Sequence, residues 1–228
     1  MELQFIGHSC FIASHENFKV IIDPFISGNP LTTLRVEDVK VDAVLLTHGH
    51  SDHTADALQI ALQNQCPIIA NFEICNYFGS KGATVFAMNT GGCNSFRWGK
   101  VKYTPAIHSS SLDTEQGPIY GGVAGGILLT MGDKTFYHVG DTALFSDMKL
   151  IGELHDIHAA AIPIGDVFTM GPSDALLAAQ WIGAKTNIPV HYDTFPAIVQ
   201  DAEAWVAAVK AKRLHAVCLH PSDRYIVD

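Results

Sequence analysis

Residues 48–53, His48-Gly49-His50-Ser51-Asp52-His53, place three imidazoles and a carboxylate within six positions. Neutral imidazole nitrogens and carboxylate oxygens are the ligands that zinc and similar borderline divalent ions select. A rigid loop lets His48 and His50 face one side while Asp52 and His53, one step into a helix, face another. That spacing suits two adjacent ions better than one. A polar loop in which Asp52 merely caps a helix would account for any single histidine. It does not account for three of them alternating with a carboxylate.

Other candidate ligands stand where strands are expected to stop. VDAVLLT runs into His48, VKYTPAIH ends on His108, KTFYHVGD ends on Asp141, and TNIPVH ends on His191. In layered α/β proteins the carboxyl ends of strands face a common crevice, so four such endings point to one shared site.

The elements that must position these residues read as follows. The opening predicts a β-hairpin, with strands at Cys10–Ser14 and Lys19–Ile22 around a polar turn at His15–Asn17. Val41–Thr47 is a short continuous apolar run, the pattern of a strand buried on both faces. Ala55–Gln65 reads as a helix, Pro67–Asn71 as a strand and Glu73–Lys81 as a short helix. Farther on, Gly126–Thr130 and Lys134–Val139 form a second hairpin, and His158–Ile164 another buried strand. Ser173–Ile182 and Ala197–Lys212 read as helices, with Leu214–His220 as a final strand. This alternation predicts a layered α/β fold with mixed sheets. No Pro/Gly/Ser-rich linker divides the chain, so residues 1–228 are expected to form one domain. The second half loosely repeats the first, which suggests an internal duplication near residue 115.

Composition narrows the function. The 228 residues are 48% hydrophobic and 16% charged, which describes a folded globular chain rather than a disordered one. A net charge of −9, with no long basic run, argues against a nucleic-acid partner. The N-terminus lacks a basic n-region followed by an apolar h-region, and no apolar stretch approaches the roughly 18 residues of a membrane span. Cys10, Cys66, Cys75, Cys93 and Cys218 are scattered without a CxxC spacing, which fits reduced thiols in a cytoplasm. The expectation is a cytoplasmic protein acting on a small molecule, with no membrane or nucleic-acid partner. Whether it forms a homo-oligomer is open.

The HxHxDH segment matches the signature of the metallo-β-lactamase superfamily, whose fold is a four-layer αββα sandwich with two mixed sheets. With GHSCF near the N-terminus, IDPF after the first hairpin and IPVHYDTFP near residue 190, the chain resembles a compact branch of metal-dependent hydrolases related to L-ascorbate phosphate lactonase. More distantly it is similar to N-acyl-phosphatidylethanolamine phospholipase D. The resemblance implies one ion held by His48, His50 and His108, a second held by Asp52, His53 and His191, and Asp141 bridging the two. The ions would be zinc first, with manganese, iron or nickel as alternatives, because mixed His/Asp ligation accepts all four. Such a pair activates a hydroxide as nucleophile.

Asp52 could also steer or accept the water's proton. His8, near the metals in the related branch, could bind substrate or donate a proton. Asp23 reads as a structural or supporting carboxylate, and Asp166 shares that ambiguity. His220 competes with His191 for the last ligand position. His15, His138, His155, His158 and His215 read as structural, and Ser109–Ser111 as a solvated loop. Gly117–Gly126 reads as a tight hairpin or a wall of the pocket entrance.

Too little chain separates His108 from Asp141 for a nuclease-type insertion, and too little follows His191 for a glyoxalase-type helical domain. The expected reaction is hydrolysis of a small ester, lactone or phosphoester. The alternatives are an iron-dependent, dioxygenase-like oxidoreductase on the same ligands, or a metal-binding protein without turnover.

Overall fold

Strict alternation of apolar side chains builds the first sheet. In the computed structural model, which describes residues 1–228, β1 (Glu2–Gly7), β2 (Cys10–His15) and β3 (Phe18–Ile22) form an antiparallel meander. Parallel strands β4 (Ala43–Leu45), β5 (Ile68–Ala70) and β6 (Val85–Ala87) extend it. In β3, Val20 and Ile22 point into the central core, whereas Ile21 points out beneath the helices. Ala43, Leu45 and Val44 of β4 divide the same way. On the outer face lie α1 (Ser51–Thr54), α2 (Ala57–Asn64) and α3 (Phe72–Ser80).

The second sheet contains β7 (Cys93–Phe96) and β8 (Gly99–Pro105), then, past the two-stranded ribbon of β9 (Ser111–Leu112) and β10 (Ile119–Tyr120), β11 (Gly125–Met131) and β12 (Lys134–His138). It is completed by β13 (Ala159–Pro163) and β14 (Thr186–Val190), covered by α4 (Asp147–Leu154), α5 (Pro172–Ile182) and α6 (Ala202–Ala211). The order is β14-β13-β12-β11-β8-β7, against β15-β1-β2-β3-β4-β5-β6 in the first sheet, where β15 is Arg224–Ile226. Phe5, Phe11 and Leu45 of one sheet meet Val101, Ile127 and Phe136 of the other in the central core. Two further cores lie under the helices, which gives the αββα sandwich.

Several expected elements shift. The opening hairpin is a three-stranded meander, because Glu2–Gly7 is itself a strand paired with both β2 and β15. The helix expected at 55–65 begins at Ser51 and breaks at Asp56, whose carboxylate accepts backbone N–H groups of Ile26 (2.7 Å) and Ser27 (2.8 Å). The helix expected from Ala197 starts at Ala202, capped by Asp201, because Pro196–Ile198 takes a short 3-10 turn. Leu214–His220 is not a strand. Ala216 makes one isolated bridge to Asn187, and the chain then turns through Ser222, at φ 79°, to add β15 to the opposite sheet. The sequence reading missed α4, β6, β7 and the β9/β10 ribbon.

Both β8 and β12 run antiparallel to β11, and β12, β13 and β14 are mutually parallel, so β8, β12 and β14 end on one side. β3 and β4 share a direction in the other sheet. The residues that follow these five strands meet at one rim.

Candidate metal centre

Asp23 and His191 come directly after β3 and β14, while His48, His108 and Asp141 each lie three positions beyond β4, β8 and β12. At the centre is the buried carboxylate of Asp141. Its Oδ2 lies 2.9 Å from His191 Nε2, 3.3 Å from His53 Nε2, 3.7 Å from His108 Nε2 and 3.8 Å from His48 Nε2. Two ligand groups flank it. The donor atoms of His48, His50 and His108 lie within 4.8 Å of one another, as do those of His8, Asp52, His53 and His191. All seven residues expected as ligands therefore converge, and His8 joins the second group.

Close backbone approach makes the loop. A Cβ on Gly49 would stand 2.8 Å from the carbonyl oxygen of Ser111, so only glycine lets His48 and His50 pass that segment. Gly140, at φ 73°, turns the chain so that Asp141 faces inward.

Asp23 sets the orientation of two imidazoles. It accepts Thr47 N–H (2.8 Å), the Thr47 hydroxyl (2.6 Å) and His53 Nδ1–H (2.8 Å). Because the Thr47 hydroxyl donates to Asp23, its oxygen is left to accept from His48 Nδ1, 3.0 Å away. Both histidines thus turn Nε2 lone pairs toward the Asp141 carboxylate, that of His48 also lying 3.0 Å from His50 Nδ1. Buried lone pairs facing an anion need a positive charge between them. His53 Nε2 and Asp141 Oδ1 also have no hydrogen-bond partner. This donor set fits divalent cations, with Asp23 as the outer carboxylate that fixes the histidine tautomer.

The electrostatics agree. Burial depresses the imidazoles of His48, His50 and His108 below the usual histidine range, which favours the neutral, ligating form. Burial alone would do the same to His53, but Asp141, Asp52 and Asp23 outweigh it and hold that imidazole well above. The potential that would keep a proton on His53 is the one a metal ion answers. For Asp141 and Asp52, burial raises the carboxyl, yet neighbouring imidazoles prevail and keep both below the usual carboxylate range. His8 is lowered to about 4 by burial. A neutral His8 satisfies both its contacts in one tautomer, with the Thr194 hydroxyl donating to Nδ1 (2.8 Å) and Nε2–H donating to Asp52 (3.2 Å).

The profile of the beta-lactamase superfamily domain matches residues 19–192, which span every residue of this centre except His8 and its partner Thr194. The chain belongs to the beta-lactamase superfamily. A UPF0173 metal-dependent hydrolase, YtkL of Bacillus subtilis (strain 168), is 53% identical over 207 residues, covering 90% of this chain and 91% of its own. A Bacillus cytotoxicus metal-dependent hydrolase is 51% identical over 208 residues, covering 90% and 92%. Among solved structures, Igni18, a metallo hydrolase from the archaeon Ignicoccus hospitalis, superimposes with a TM-score of 0.89 at 32% identity, covering 98% of this chain and 97% of its own. This superfamily member is a metal-dependent hydrolase with the metallo-β-lactamase fold.

Other expected residues fall outside the centre. His220 is exposed on the C-terminal segment, so His191 alone joins from that end of the chain. Asp166 is exposed in a loop against Gly171. His138 is buried between Ser9 O and Gly140 N–H. Ser109–Ser111 is not a solvated loop, because buried Ser110 accepts Gly49 N–H and donates to Gly121 O, which pins the histidine loop. Ser109 Oγ is 3.3 Å from His50 Nε2. Thr47, Thr194 and Phe195 were given no role of their own from the sequence, although the last two fall within IPVHYDTFP. Thr47 had a local signal, a hydroxyl next to the first ligand. No helix is long and apolar enough to cross a membrane.

Proposed function

We propose that this hydrolase works with two divalent ions, zinc first among them, on a small ester, lactone or phosphoester. The observation that carries the reading is Asp141 Oδ2, set against the Nε2 atoms of four histidines, with a separate ligand group on either side. His48, His50 and His108 would hold one ion, Asp52, His53 and His191 the other, and Asp141 both. Bound there, such ions supply Lewis-acid polarisation and a water acidic enough to act near neutral pH.

The chain's own groups do the rest. Asp52 is partly open to the cavity and holds its carboxylate charged, so one oxygen can orient or accept a proton from an attacking water. His8 fixes that carboxylate through Nε2–H and is itself fixed by Thr194. The cavity beside them has a volume of about 250 Å³, enough for a small molecule.

The test is metal content per chain together with hydrolysis of lactones, carboxylic esters, phosphomonoesters and phosphodiesters, wild type beside Asp141→Ala. Two ions per wild-type chain, at most one in the variant, and loss of hydrolysis by about 10²–10⁴-fold are expected. Wild-type turnover by the variant would overturn the reading.

A further inference from the structure

The active-site cavity contrasts with the chemistry of its depths. Around the metal ligands it is closed by Ser109, Phe168 and Phe195, and none of its lining residues is a lysine or arginine. The charged groups acting most strongly on His50, at the cavity wall, are Asp52, His53, Asp141 and Asp113. Several of the chain's cations lie at the far end of the same strands. Lys100 and Lys102 line a separate cavity there, beside Asp133 and Asp156. Lys134 and Lys185 are paired with those two aspartates. With the five residues of β12 rising about 3.3 Å each, roughly 20 Å of chain separates Lys134 from Asp141. A substrate tail carrying a phosphate or carboxylate would find no counter-charge at the mouth.

The two phenylalanines are held in different ways. Phe195 packs its ring against His8 (5.6 Å between centroids) and Phe25 (6.2 Å), so it is a fixed wall. Phe168 is 55% exposed at the tip of a loop pinned below by Asp166 N–H to Met170 O and by Met170 N–H to Thr142 O. Next to it Val167, itself 68% exposed, sits at φ 24°, a conformation a β-branched residue adopts only under constraint. Strain that leaves an aromatic ring uncovered at a reactive centre is explained if the ring is covered by what binds there.

We propose that the substrate's acyl portion, beyond the bond being cut, is uncharged and apolar and lies between Phe168 and Phe195. This rests on the metal-hydrolase reading above and selects esters or lactones with apolar acyl groups over substrates bearing phosphate or carboxylate tails.

The test uses two hydroxamates that share a metal-binding head, hexanohydroxamate and its analogue ending in a carboxylate, titrated calorimetrically into zinc-loaded protein. The apolar tail is expected to bind about tenfold tighter, as burial of one apolar chain against aromatic rings provides. Phe168→Ala should remove most of that difference, and Phe168→Lys should reverse it. In kinetics, p-nitrophenyl hexanoate should exceed the ester of the corresponding dicarboxylic acid in kcat/KM by a similar factor, chiefly through KM. Equal or tighter binding of the charged tail, or a Phe168→Ala variant that keeps the full preference, overturns the inference while leaving the metal centre intact. If neither hydroxamate binds zinc-loaded protein, the metal-centre reading fails and this inference falls with it.

Discussion

At their C-terminal ends β3, β4, β8, β12 and β14 run into Asp23, His48, His108, Asp141 and His191, whereas the N-terminal ends of the same strands hold Lys19, Lys40, Lys100, Lys134 and Lys185. At the first end the ionisable groups are mostly buried, with His48, His53, His108 and His191 each within 4 Å of Asp141, and burial and neighbouring charges hold His48 and Asp141 well below and His53 well above their ordinary ranges. At the second they stand in water, and Lys134 and Lys185 make pairs with Asp133 at 3.4 Å and Asp156 at 3.0 Å that solvent screens. Burial accounts for the contrast. A charge removed from water needs a specific partner, so one end is organised for cations to bind while the other keeps the chain hydrated.

Beyond the central Asp141 itself, the largest effect expected from this contrast is at Asp23. Asp23→Asn preserves size but loses the carboxylate that orients His53 and, through Thr47, His48. Metal affinity or activity should fall by about 10–100-fold, read by chelator competition and by kcat/KM. An unchanged affinity would mean that the oriented lone pairs at this end have no special role.

Metal addition should come next. At a free concentration about a hundredfold above Kd, zinc should stabilise the folded chain by about 2.7 kcal/mol, raising Tm by about 5–10 °C over protein treated with chelator. A Tm indifferent to zinc would contradict the fit of the buried donors to a cation.

Without metal, the buried histidines should make stability depend on pH. His8 titrates near 4 when folded and near 6.5 when unfolded, so the unfolded chain takes up the proton first. Stability from this group is therefore lost as pH falls from about 6.5 toward 4. His48, His50 and His108 act in the same direction, and only His53, raised by its carboxylates, opposes them. The Tm of metal-free protein should decline from about pH 7 to about pH 5, and less steeply in His8→Gln. A flat profile would place those imidazoles in water.

The smallest effect belongs to the lysine end. Lys185→Ala should leave Tm within about 2 °C of wild type and kcat/KM unchanged, because the pair with Asp156 is exposed. A large loss there would erase the contrast between the two ends.

Much of this was legible in the chain. HGHSDH carries its chemistry in its spacing, and a histidine or aspartate placed just past an apolar run marks a strand's carboxyl end. Alternating apolar residues, as in Phe18–Ile22, fix strands and their two faces because successive side chains point oppositely. The final strand was misplaced because Leu214–His220 has the right pattern, yet β15 is the segment that finds the free edge of β1.

What the sequence determined by itself was the local part, namely the donor types, the order of the strand-end ligands and the layered α/β alternation that follows from periodicity. Only the tertiary structure decided which residues close the site: Thr47 relaying Asp23 to His48, Ser110 pinning Gly49, Thr194 holding His8, and Phe168 and Phe195 lining one cavity. Those partners come from loops distant in sequence, and their directions depend on left-handed turns at His8, Asp166 and His191 and on packing between two sheets. A ligand motif is written in neighbouring residues, whereas the shape of a pocket exists only once distant residues have been brought together.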